Sequence, residues 1–251
     1  MRISQLRSLA VAISLLSALG LLTLGALLPA SVFAAVNQSA RCSATDLACV
    51  IAAGNVLITN RQNSLNTLST KVSTDLNAHK LTADQASVLQ ADVTTNRSGL
   101  GNLKSKLDAE TNSRAARQDV SAIFLQFRIY AVVLPRDYRH IQMDIEINAK
   151  NLMQGVASKI KGAIGGAPAG EQARLNALFG DYQKQVAAAE SQLDTAQRDF
   201  PALTPANFNQ NRLSYEATKT SLDKALRATR VDLHQAAKDL NEMARILGLK
   251  K

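Results

Sequence analysis

Residues 82–107 read TADQASVLQADVTTNRSGLGNLKSKL, and their spacing decides the fold. Ala86, Leu89, Val93, Asn96, Leu100, Leu103 and Leu107 recur in steps of three and four. At 3.6 residues per turn this lays one apolar stripe along an α-helix. Thr82, followed three residues later by Gln85, has the capping-box pattern that starts such a helix. Gly99 and Gly101 weaken it and mark a place to kink.

The same period extends outward on both sides. Ile51, Ile58, Leu65 and Val72 stand seven apart, with Leu47 and Leu68 between them, and predict a first helix over 45–78. His79 and Lys80 form the turn that follows. Beyond Leu107 the stripe would fall on Glu110, Arg114 and Arg117, which cannot face a core. A new stripe opens at Ala116, Val120, Ile123, Phe127, Tyr130 and Leu134, so the chain must break near Thr111–Ser113, whose side chains can cap a third helix. Pro135 is expected to end or kink that helix. A fourth carries Ile141, Ile145, Ala149, Leu152, Val156, Ile160 and Ile164. A fifth carries Leu175, Leu178, Tyr182, Val186, Ala189, Leu193 and Phe200. After a turn over Pro201–Pro205, a sixth runs over 206–247 through Tyr215, Leu222, Leu226, Leu233, Leu240, Met243 and Leu247. About six one-sided helices with short turns predict an all-α fold, an elongated antiparallel bundle or set of coiled-coil hairpins.

Composition agrees. Among 251 residues there is no Trp, aromatics make up 4%, and Gly and Pro are few. The mixture favours helices and lacks β-branched clusters. The one flexible linker is Gly165-Gly166-Ala167-Pro168-Ala169-Gly170. It divides the chain into an N-terminal bundle segment, 35–164, and a C-terminal hairpin, 171–251, with the linker at 165–170.

Residues 1–34 read as an export signal. Arg2 and Arg7 precede an uncharged run over 8–36, and Pro29 is followed by Val32-Phe33-Ala34, the small-x-small pattern of a cleavage site. The run is also long enough to remain as an N-terminal anchor. The expected localisation is therefore periplasmic, cell-envelope or extracellular, with the anchor as the alternative. Removing residues 1–34, which hold two Arg and no acid, from a chain of net charge +9 leaves 217 residues with a charge of +7.

Cys42 and Cys49 are the two cysteines, and in an exported chain they are expected to form a disulfide. Seven residues of continuous α-helix separate Cα atoms by roughly 10.5 Å, whereas a disulfide tolerates about 4.4 to 6.8 Å. The helix therefore cannot already be running at Cys42, and the bridge would staple an N-terminal strap to the first turns.

No chemistry-bearing motif follows from the residues. Asp137, His140 and Asp144 share one face of the fourth helix, but no Glu-x-x-His unit accompanies them, and no metal site is expected. Nucleophile-elbow, zinc and phosphate-loop patterns are absent, so the expectation is a non-enzyme without cofactors. The stretch from Ile123 to Leu134 is apolar on nearly every face, and is expected at the enclosed centre of the bundle, with Phe127 buried and Arg128 needing a partner. The alternative is a surface for a membrane or a partner. A basic partner surface is expected on the last helix, at Lys219, Lys224, Arg227, Arg230, Lys238 and Arg245. Interleaved acids and the lack of aromatic stacking residues argue against specific nucleic-acid binding. The expected partner is a protein or an anionic envelope component. A membrane surface and a second copy, through coiled-coil packing, are the other candidates.

Two resemblances add to this. Leu81-Thr82-Ala83-Asp84-Gln85 resembles the Leu-Thr-x-x-Gln signature of small periplasmic helical chaperones, and Leu203-Thr204-Pro205-Ala206-Asn207 is similar to a second copy with Asn207 in place of Gln. That resemblance implies an envelope protein holding unfolded clients, while a Thr cap with Gln at the third position produces the same string. The block Phe127-Arg128-Ile129-Tyr130-Ala131-Val132-Val133-Leu134-Pro135 resembles a segment of uncharacterised exported helical-bundle proteins of bacteria, which implies export and fold but no activity.

Overall fold

In a computed structural model the described residues are 42, 43 and 45–249. The export-signal reading of residues 1–34 lies outside them. Among the described residues the structure is helical without strands, an all-α fold. The helices are α1 (Leu47–Asn77), α2 (Ala83–Asp108), α3 (Ser113–Ala122), α4 (Leu134–Ile164), α5 (Ala169–Asp199), α6 (Pro205–Gln210) and α7 (Arg212–Ile246). Two π-helical turns, Ile123–Phe127 and Ile129–Val133, join α3 to α4. No helix among the described residues is long and apolar enough to cross a membrane.

Contacts group the chain into two compact units. The first holds the described residues up to Ile141 together with Phe200–Lys219, and the second holds Gln142–Asp199 and the described chain from Thr220 onward. This differs from the division that the sequence suggests at 165–170. The Gly/Pro segment is instead a tight turn between α4 and α5, whose facing residues share one core. Gly and Pro signal a reversal of the chain, but the packing around a turn decides whether it also separates domains.

In the first unit α1 and α2 are antiparallel. The Asn55 amide donates to Asp108 at 2.7 Å near one end, and the Ser69 hydroxyl donates to Gln90 at 2.7 Å nearer the other. Leu57, Ile58, Leu65, Leu68 and Val72 of α1 and Leu89, Val93, Leu100 and Leu107 of α2 are buried. Leu47 and Ile51 are only half-buried, because over the first turns the stripe shifts to Val50, Ala53 and Gly54. A strict seven-residue repeat drifts by about 20° per heptad on a straight helix. At Gly54 side chains of α2 and α3 press against the α1 backbone. A Cβ there would lie 2.5 Å from Leu107 Cδ2 and 2.8 Å from Val120 Cγ2, so only glycine fits where α1, α2 and α3 meet. α2 runs without interruption through Gly99. This glycine makes room for the Phe127 ring, whose Cε1 would stand 2.6 Å from an added Cβ.

The capping residues act as the sequence indicated. Thr82 accepts from the Gln85 amide, and the Gln85 side chain accepts from the Thr82 amide at 2.9 Å. Asn112 caps α3, accepting from the Ala115 amide at 2.8 Å. Cys42 and Cys49 are bridged, with Cα atoms 5.7 Å apart, and α1 starts only at Leu47, as the geometry required. Arg117 of α3 donates to the carbonyls of Cys42 at 3.0 Å and Ser43 at 2.6 Å, which ties the strap down.

Three expectations are corrected. The apolar segment is not one continuous helix: Arg128 sits in the left-handed region, at φ 43° and ψ 40°, between the two π turns. Pro135 does not stop the helical run but stands in the first turn of α4, directly after the π turn Ile129–Val133 gives way to α-helix at Leu134. The sixth helix is interrupted at Asn211, which leaves helical geometry and whose side chain accepts from the Ser214 amide at 3.0 Å, giving α6 and α7 separately.

In the second unit α4, α5 and the described part of α7 from Thr220 on run up, down and up. Lys150 pairs with Glu190 at 2.8 Å and Arg174 with Glu242 at 2.6 Å, each across an antiparallel pair. Met153, Val156 and Ile160 meet Leu175, Val186, Leu233, Leu240 and Met243 in one core. Leu152, expected inside, is 39% exposed, and Met153 is buried instead. The unbranched thioether fills the irregular gap one position on.

Closing the eight-residue loop contributes at most about 2 to 3 kcal/mol on a chain-entropy account. Cys42→Ser should therefore lower the calorimetric melting temperature modestly and leave one cooperative transition. Loss of the transition would show that the strap, and not the helix core, holds the first unit. Ile129 is fully buried and Phe127 only half-buried. Ile129→Ala should cost about 2 to 5 kcal/mol in denaturant unfolding, and Phe127→Ala less than the roughly 3 to 5 kcal/mol of a fully enclosed ring. The reverse order would contradict this packing.

Candidate functional site

Among the described residues two non-glycine residues have positive φ, His79 in the turn after α1 and Arg128, and Arg128 stands between two π turns. Single π turns are rare, and a bulky residue in the left-handed region costs of order 1 to 3 kcal/mol. Two sets of contacts stabilise this one within the first unit. On the inner side, Arg61 of α1 is buried, with its guanidinium 4.7 Å from the Phe124 ring centroid and 4.9 Å from that of Tyr130. Its Nη1 donates to the Leu57 carbonyl at 2.9 Å, and burial lowers its pKa. The hydroxyls of Tyr130 and Ser64 lie 3.3 Å apart.

On the outer side the turns meet α6. The Arg128 guanidinium lies 4.5 Å from the Phe208 ring centroid, and its Nε donates to Asn209 Oδ1. Asn209 Nδ2 in turn donates to the Leu125 carbonyl at 2.6 Å. Arg212 reaches the same Phe208 ring at 5.5 Å. Phe208 also meets Tyr215 edge-on, with centroids 5.0 Å apart. The partner that Arg128 was expected to need is thus an amide and a ring. Among the described residues no carboxylate lies in ion-pair range of Arg128 or Arg212. Around them Leu125 is 50% exposed and Leu213 85% exposed. The segment is therefore neither wholly central nor wholly surface. Ile123, Ile129, Val132 and Val133 are buried, while Leu125 is not.

The predicted basic surface on α7 is less bare than its sequence. Lys219 pairs with Glu216, and Arg245 with Glu242 at 2.7 Å. Arg230 lies 3.5 Å from buried Glu146 and serves to offset that charge. Lys224, Arg227 and Lys238 are exposed. Sequence reading missed Phe208, Asn209 and Arg212. The available signal was Leu213, an apolar residue off the α7 stripe beside an arginine.

Buried acids form a second feature, and two of them, Asp137 in the first unit and Glu146 in the second, have strongly raised pKa values. In the first unit Asp137 accepts from Arg136 Nε at 2.8 Å, and Arg136 also pairs with Asp92. Burial outweighs Arg136 and raises Asp137 to about 7. His140, on the same helix face, meets the Phe200 ring at a tilt, with centroids 4.5 Å apart, and burial lowers its pKa. In the second unit burial raises Glu146 to about 7 against Gln142, which donates to it at 2.9 Å, and Arg230. No cluster of three or more His, Cys, Asp or Glu side chains able to hold a metal occurs among the described residues.

These shifts fix a sign. Both carboxyls titrate higher in the folded protein than the roughly 3.9 to 4.3 of an unfolded chain, so between about pH 4 and 7 the folded state binds more protons. Their contribution to stability is complete below that window and is lost as the pH rises to about 7. Thermal stability should therefore fall from about pH 5 to pH 8. Glu146→Gln should flatten that slope, and an unchanged slope would show that Glu146 stays ionised throughout.

No protein-family model matches this chain, and no curated protein or solved structure does either.

Proposed function

We propose that the protein is an exported helical-bundle binding module, acting without catalysis, which holds an anionic partner at the surface of the π turns and α6. The observation that carries this reading is the pair of arginines on Phe208. Two guanidiniums converge on one ring without a carboxylate to neutralise them, at a backbone held in a costly conformation. Like charges placed together at a strained site lower stability and suit a negatively charged ligand. The Cys42–Cys49 bridge and the leader-like residues 1–34 support an oxidising compartment.

The Leu-Thr-x-x-Gln string does not add a client-holding function to this reading, because Thr82 and Gln85 are spent on capping α2. In the similar string at 203–207, Thr204 accepts from the Asn207 amide, while the Asn207 side chain turns back to donate to the Ala202 carbonyl at 2.9 Å.

The test is retention of the exported protein on immobilised heparin. Arg128→Ala/Arg212→Ala should elute at clearly lower salt, and Lys224→Ala/Arg227→Ala/Lys238→Ala should shift elution less. Equal or reversed shifts would move the site to the exposed face of α7. The mass of the exported product should place its N-terminus near Ala35, and retention of residues 1–34 would favour the anchor.

A further inference from the structure

Resting on that reading of the surface, we infer that its partner is the interface of an anionic phospholipid bilayer, with Leu125 and Leu213 entering the acyl boundary and Arg128 and Arg212 meeting headgroup phosphates. The charge is complementary, since neither arginine has a carboxylate partner among the described residues and guanidinium donors match phosphate geometry. The apolar part matters more for the choice of partner. Leu213 is 85% exposed and Leu125 50%, and both belong to the segments that the Asn209 and Phe208 contacts draw together. A protruding leucine beside an arginine places its side chain below the headgroups while the cation stays among them, the arrangement of proteins that lie on a membrane.

Other polyanions fit less well. A single-stranded nucleic acid needs an open aromatic face on which to stack a base, and Phe208 already carries guanidiniums at 4.5 and 5.5 Å and Tyr215 on its edge. An acidic peptide would bury the leucines in a groove. Two surface depressions among the described residues lie away from the leucines, one lined by Ser113, Arg117 and Ser121 and one by Ala157, Phe179 and Val186. The contact proposed for these residues is with the bilayer surface, and no helix among the described residues is long and apolar enough to cross one.

The experiment is flotation of the exported, disulfide-bonded protein with vesicles of phosphatidylglycerol and phosphatidylcholine, and with vesicles of phosphatidylcholine alone. Binding to the anionic vesicles, weakened by salt, is expected. Arg128→Ala/Arg212→Ala should reduce it about thirty-fold, the equivalent of about 1 kcal/mol per charge near such a surface. Leu213→Ser changes a side chain with few neighbours, so it should leave the melting temperature and heparin retention unmoved while lowering vesicle binding. If the double arginine variant does not fold, Leu213→Ser decides alone.

Equal binding to phosphatidylcholine alone overturns the inference in favour of an N-terminal anchor. Arginine-dependent heparin or polyglutamate retention without vesicle binding overturns the membrane inference and leaves the anionic-partner reading standing. Loss of both overturns both. A dimer in sedimentation that Leu213→Ser dissociates would assign the leucine to self-association and also overturns the inference.

Discussion

A buried guanidinium between two aromatic rings sets the geometry of the first unit. Phe124 and Tyr130 are six residues apart, and on an unbroken α-helix they would point about 120° away from each other. Both nevertheless lie within 5 Å of Arg61, because the chain unwinds through two π turns and reverses hand at Arg128. A desolvated cation–π contact is worth up to about 2 kcal/mol. Two of them, with the bond to the Leu57 carbonyl, are of the size needed to offset a left-handed arginine. The same break aims Arg128 outward at Phe208, so the inner cage and the outer surface are two sides of one distortion.

Around that centre the fold follows ordinary helix packing. Most of the helices bury one stripe and leave the opposite face wet, so their stability comes from their neighbours, whereas over 134–150 of α4 no residue is exposed and α6 buries none. Glycine governs how close they come. At Gly54 and Gly99 the missing Cβ lets Leu107, Val120 and Phe127 occupy space that alanine would take. The buried carboxyls work in the other direction. Asp137 and Glu146 are offset by Arg136 and Arg230, but burial dominates and leaves both carboxyls near neutrality. Breaking such a pair would leave an uncompensated charge, which makes each pair a constraint on side-chain placement more than a source of stability.

The proposed surface shows why net charge misleads as a guide to function. The positive balance pointed to α7, where most cations are spaced among acids and several are already paired. Two arginines that share one ring and lack acids are the better candidate, and they lie on different segments, with Asn209 81 residues from Arg128 and 84 from Leu125 in sequence.

The sequence by itself determined the all-α class, the reach of α1, α2 and α5, the capping of α2 by Thr82 and Gln85, and a helix that begins after Cys42. These are local matters: a period of 3.6, a side chain reaching an amide three residues on, and the length of a disulfide. Tertiary structure alone decided the break at Arg128, the interruption at Asn211, the choice of Met153 over Leu152, and the gathering of Leu125, Arg128, Phe208 and Arg212. Local preference favours a continuous helix through Ile123–Leu134, and contacts with α1, α2 and α6 hold the unwound form instead. An apolar segment with no polar face has no phase for a pattern to reveal, so its geometry is set by what packs against it.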